Sequence, residues 1–133
     1  MTSKPLVEAA LKLTGRFQHE ELVQIIQLAP TKTWRVGDSV QSTRLKREND
    51  GWVFSVPQKE ARDVGALVSE LLVIVDRHKQ EIVLAAEQLR LEVTISLGVY
   101  MRGETPSCWL DAELVRRISE LRANLDIDLI LAE

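Results

Sequence analysis

The sequence predicts an α+β fold, a mainly antiparallel sheet with helices packed on one face. Three observations predict it. Alternating apolar residues mark strands at both ends of the chain, and stripes at helical spacing occupy its interior. The elements run strand, helix, hairpin, two helical pieces, two strands, helix, strand, with no regular strand–helix alternation. Strand–helix at the start and helix–strand at the end leave a two-halved, ferredoxin-like arrangement open. The 133 residues fit one domain, and 45% hydrophobic content supports one continuous core.

Ala9 to Thr14 sets Leu11 and Leu13 against Lys12 and Thr14, the period of a half-buried strand, and Gly15 ends it. From His19 the spacing of Leu22, Ile25, Ile26 and Ala29 is that of a helix face. Glu20 and Glu21 suit its positive N-terminal end, and Pro30 stops it. A loop carrying Trp34 follows. Thr43–Glu48 and Trp52–Val56 then flank Asn49-Asp50-Gly51, residues that tolerate the positive φ of tight turns, and together predict a β-hairpin.

Val64, Leu67, Val68, Leu71, Leu72 and Val75 form a strong helical stripe. The helical run extends from Asp63 to Leu89, but Asp76-Arg77-His78-Lys79 interrupts it, and Asp76 suits a new cap, so a bend or two helices are expected. Ile82, Val83, Ala86 and Leu89 mark the second piece; Val93, Ile95, Leu97 and Val99 mark a long strand. After a turn at Arg102–Pro106, Ser107–Leu110 reads as a short strand paired with its predecessor. Asp111 caps a helix whose inward stripe is Leu114, Val115, Ile118 and Leu121, with Arg116, Arg117, Glu120 and Arg122 toward water and Asn124 as its left-handed stop. In the last strand Leu125, Ile127, Leu129 and Leu131 point one way and Asp126 and Asp128 the other, so one sheet face is expected buried and the other wet.

Charge and cysteine content narrow the function. With 20 acidic and 17 basic residues, a net charge of -3 speaks against nucleic-acid binding driven by overall positive charge. Cys108 is the only cysteine, so no intrachain disulfide forms and a cytosolic location is expected. Glu8 and Lys12 break the N-terminal apolar run, which reads as mature protein and not as a signal peptide. The run Leu71–Val75 is far short of a membrane span, and no membrane association is expected.

Chemistry-bearing patterns are sparse. Asp126 and Asp128 share a strand face and could present two oxygens to a hard cation, but such ions take further ligands, and a solvated face is the simpler reading. His19 and His78 stand far apart with no zinc spacing and read as surface residues. Cys108, beside Trp109 in an expected strand, reads as an inert buried thiol. No nucleophile elbow or phosphate-binding glycine loop occurs. What remains is a basic and aromatic group, Lys32, Trp34, Arg35, Arg44, Lys46 and Arg47, with Trp52 and Phe54 across the expected hairpin. Such a group can stack on bases or anchor a protein interface, although Trp52 is better read as a core plug.

In their order along the chain, several segments together resemble the uncharacterised bacterial family called domain of unknown function 4279. They are Leu11 to Gly15, Leu28-Ala29-Pro30-Thr31, Trp34-Arg35-Val36-Gly37-Asp38, Gly51-Trp52, Leu67 to Val75, Val93 to Tyr100 and Leu125-Asp126-Ile127-Asp128-Leu129. The resemblance implies an α+β fold and no assigned activity. Phe17-Gln18-His19-Glu20 departs from the pattern, lacking its acidic, proline-containing approach to the first helix.

The resulting expectation is a non-catalytic cytosolic binding domain with no cofactor and no metal, whose partner is another protein. A toxin-neutralising role suits a small acidic domain without catalytic equipment, by analogy alone. Exposed sheet edges make a homodimer a further expectation. The alternatives are small-molecule or nucleic-acid binding through the Trp34 loop and basic hairpin, and an enzyme using Asp126 and Asp128.

Overall fold

The structure, a computed structural model, describes residues 4–131. Strand β1 (Leu6–Gly15) starts earlier than expected because Val7 extends the inward row of Ala9, Leu11 and Leu13, all completely buried. Helix α1 (His19–Ile25) opens without the acidic approach of the family pattern; the Glu21 carboxylate accepts the Gln18 N–H at 3.0 Å instead. The helix ends before Pro30. Ile26 is extended and turns its side chain into the core, while Ala29 is exposed.

The predicted hairpin is absent. Thr43–Glu48 forms no strand against Trp52–Val56; β3 (Asp50–Glu60) begins at the expected turn and pairs with β1 on one side and with β2 (Lys32–Trp34) on the other. Asp50 supplies the reason. Its buried carboxylate accepts the Phe17 N–H at 3.0 Å and the Val36 N–H at 2.9 Å, so it anchors two chain segments and cannot sit at an exposed turn. Those bonds, the Val36 one foremost, hold its carboxyl below the usual aspartate range despite burial. Residues 35–49 form a loop of their own, closed by Gly37 N–H to the Arg47 carbonyl and Arg47 N–H to the Asp38 carbonyl.

The long helical run divides as predicted into α2 (Val64–Val75), a single 3₁₀ turn (Asp76–His78) and α3 (Lys79–Leu89). Asp63 caps α2 by accepting the Gly65 N–H at 3.0 Å, while Asp76 closes α2 and does not open α3. Asp76 also receives Arg117 at 2.7 Å, which draws that arginine in from solvent. Strand β4 (Glu92–Met101) follows, but Ser107–Leu110 is not its partner. Ser107 donates to the Arg62 carbonyl and accepts from the Val64 N–H, so this segment is tied to the start of α2, and Cys108 and Trp109 are exposed, not buried. Helix α4 (Ala112–Glu120) has the expected cap, Asp111 accepting the Leu114 N–H at 2.8 Å. Its left-handed stop is Arg122, at φ 56°, not Asn124, which opens β5 (Asn124–Leu131).

The strand order is β2-β3-β1-β4-β5, antiparallel throughout except for the parallel pair β4–β5. Strand β1 lies between β3 and β4 and antiparallel to both, so β3, the α2–α3 crossover and β4 form a split βαβ unit. The register of β1 on β3 slips between Val7 and Ala9, where β3 carries Pro57. One sheet face carries the core: the β1 row, Trp52, Val56 and the β4 row Val93, Ile95, Leu97 and Val99 pack with Leu67, Val68, Leu71 and Leu72 of α2. The four helices are therefore on one side, as the sequence predicts.

Candidate functional site

The structure puts Trp34 at the end of β2 and not in a loop, opposite Gly51 of β3. Its indole packs flat on that glycine, where a Cβ would stand 2.0 Å from Cε2 of the ring. The Arg47 guanidinium lies 4.0 Å from the ring centroid and the Lys32 ammonium 5.7 Å from it. Lys32, Trp34 and Arg47 therefore meet, with the half-buried indole already in contact with protein. The other candidates are separate. Arg35 faces Glu20 at 3.9 Å, Lys46 donates to Ser39 Oγ at 2.9 Å, and Arg44 is exposed toward the far end of the 35–49 loop. Arg44 and Lys46 share no strand face, because no strand exists there.

Behind this edge, α1 and β3 enclose a largely apolar cavity of about 370 Å³, lined by His19, Leu22, Ile26, Pro30 and Trp52 among others. Trp52 is core, as expected, at 3% exposure. His19 is not the surface residue the sequence predicts: its Nε2–H donates to the Trp34 carbonyl at 3.1 Å, leaving Nδ1 buried and without a partner. His78 is also half-buried and faces Glu81 at 3.2 Å.

The opposite edge is built differently. In β5, Leu125, Ile127, Leu129 and Leu131 are in register with Ile95, Leu97, Val99 and Met101, on the sheet face that carries the helices. Their exposures are nonetheless 42, 41, 57 and 78%, so the helix layer, in which α4 packs beside α2, leaves the row only partly covered. Val115 of α4, expected inward, is likewise exposed, and Leu110, Val115, Ile118 and Leu125 line a cavity of about 260 Å³ beside the row. At about 3.3 Å per residue the apolar row runs on the order of 20 Å along an edge strand that is paired on one side only, with β4.

On the other face, Asp126 and Asp128 are in register with Ser96 and Gly98. Glu8 of β1 folds over Gly98, and Tyr100 donates to Glu8 Oε1 at 3.2 Å. The Glu8 charge is the main reason the Tyr100 phenol is pushed above its usual range. Among the described residues no three of His, Cys, Asp and Glu lie close enough together to hold a metal ion.

The profile of the family described as Domain of unknown function (DUF4279) matches residues 5–132. The chain belongs to the DUF4279 family. No curated protein and no solved structure matches it. For this DUF4279 domain, the sequence brings forward the Trp34 group and, in β5, Asp126 and Asp128, but not the apolar row of β5, whose alternation reads as ordinary core packing. The missed signal was position: a final strand following a helix directly is free to pair in parallel at the sheet's edge, where nothing further along the described chain covers it.

Proposed function

We propose that this DUF4279 domain is a cytosolic protein-binding module and that its docking surface is the β5 edge. The observation that carries the reading is the exposure of Leu125, Ile127, Leu129 and Leu131 along an eight-residue edge strand. Strands of that kind present unpaired N–H and carbonyl groups to another chain, and proteins ordinarily shorten, cover or twist them away. A contiguous apolar strip backed by an apolar cavity is a common mark of a protein interface. The exposed Cys108 thiol supports a reducing compartment, and no helix described is long and apolar enough to cross a membrane.

The test is capture from the native host with two variants beside the wild type. Ile127→Asp with Leu129→Asp removes the apolar row. Arg44→Glu with Lys46→Glu reverses the loop. A stoichiometric protein retained by the wild type and the loop variant, and lost by the β5 variant at an unchanged melting temperature, is the expected result. Loss by the loop variant alone would move the site to the Trp34 side.

A further inference from the structure

The chemistry of β5 also specifies what kind of strand it can receive. Its two faces differ sharply: leucine and isoleucine on the helix side, Asp126 and Asp128 on the open side, with Glu8 in register beside Gly98 and Asp128. No cation among the described residues lies within ion-pair distance of Glu8, Asp126 or Asp128. A second copy of this chain fits poorly. Pairing two β5 strands antiparallel, with apolar faces matched and at least six residues of each engaged, allows two registers over Asn124–Leu131. One sets Asp126 opposite Asp128 and the other sets Asp128 opposite itself, and like charges directly across a pair are destabilising. Pairing two β5 strands in parallel through their free edges turns one copy over, so the two apolar faces lie on opposite sides of the joined sheet.

We propose that β5 accepts, as a sixth strand, a segment of a partner protein that alternates apolar residues with lysine or arginine. Its apolar side chains extend the row Leu125–Leu131 and reach the cavity lined by Leu110, Val115 and Ile118. Its cations lie over Asp126 and Asp128 on the open face. Main-chain hydrogen bonds supply affinity and the alternating side chains supply selectivity, as in other strand additions. The inference rests on docking at β5 and adds the charge of the partner.

Fluorescently labelled octapeptides test it: valine alternating with lysine, valine alternating with glutamate, and a valine–lysine peptide N-methylated at every residue, which blocks both of its edges. Binding is followed by anisotropy and located by amide NMR shifts. The valine–lysine peptide is expected to bind at β5, to weaken as salt rises from about 50 to 300 mM, and to weaken roughly three- to tenfold in Asp126→Asn/Asp128→Asn. The N-methylated peptide, unable to pair along the strand, is expected not to bind. Equal binding of the valine–glutamate peptide at β5 would overturn the basic partner and leave edge docking standing. Peptide shifts confined to the 35–49 loop, equal binding of the N-methylated peptide, or no binding at millimolar peptide would overturn strand addition itself. Sedimentation of the free chain as a dimer abolished by Leu129→Asp would also overturn it, replacing the partner with a second copy.

Discussion

The sheet has two edges, and they are finished in opposite ways. At one, β2 is three residues long, and the 35–49 loop that follows is fastened by Asp50 and by Arg47 over Trp34. At the other, β5 is eight residues long with its apolar side chains half or more in water at Leu129 and Leu131. The basic and aromatic residues that look most like a site in the sequence complete the first edge. The plain alternation that looks like core leaves the second one open. Exposure and pairing, not residue type, separate a surface that has satisfied its own groups from one that has not.

The largest effect belongs to the closed edge. Asp50→Ala leaves the buried Phe17 N–H and the part-buried Val36 N–H without their acceptor and is expected to cost about 3 kcal/mol in urea denaturation. Gly51→Ala drives a methyl into the Trp34 ring, with an expected loss of about 2 kcal/mol in the same measurement. A loss below about 0.5 kcal/mol for both would mean that β2 and its loop are not fastened to the sheet, and the contrast between the edges would disappear.

Acid gives a gentler probe of the same edge. The Asp50 carboxyl is depressed in the folded state, so the unfolded chain binds its proton first as pH falls. Its contribution is complete above the unfolded value of about 3.9 and is lost as pH drops through the lower folded value. Between pH 6 and pH 3 the wild type should lose more stability than Asp50→Asn, whose amide does not titrate. Equal losses would show that Asp50 is not held as a carboxylate. The smallest effect is expected at the open edge: Leu129→Asp, at an exposed position, should change unfolding stability by no more than about 0.5 kcal/mol. A loss of about 3 kcal/mol would place Leu129 in the core.

Much of the fold was legible because periodicity reports burial of whole rows. Val93, Ile95, Leu97 and Val99, and Leu67, Val68, Leu71, Leu72 and Val75, face the core as their spacing predicts, the interruption at Asp76 marks a real break, and Asp111 caps α4. Where the reading failed, one residue served a purpose that local propensity does not reveal. Asn49-Asp50-Gly51 has turn composition, yet Asp50 is a buried acceptor and Gly51 makes room for an indole. Ser107–Leu110 has strand composition, yet its backbone bonds go to the start of α2. Alternation in β5 gives the direction of each side chain correctly but not whether anything lies above it, since coverage depends on where α4 packs. The candidate site was hidden for that reason.

Amide hydrogen exchange in the presence and absence of saturating valine–lysine octapeptide compares the two edges in one experiment. Slowed exchange within Asn124–Leu131, with residues 35–49 unchanged, is the expected result. Slowed exchange in residues 35–49 with β5 unaffected would contradict the assignment of the docking surface to β5.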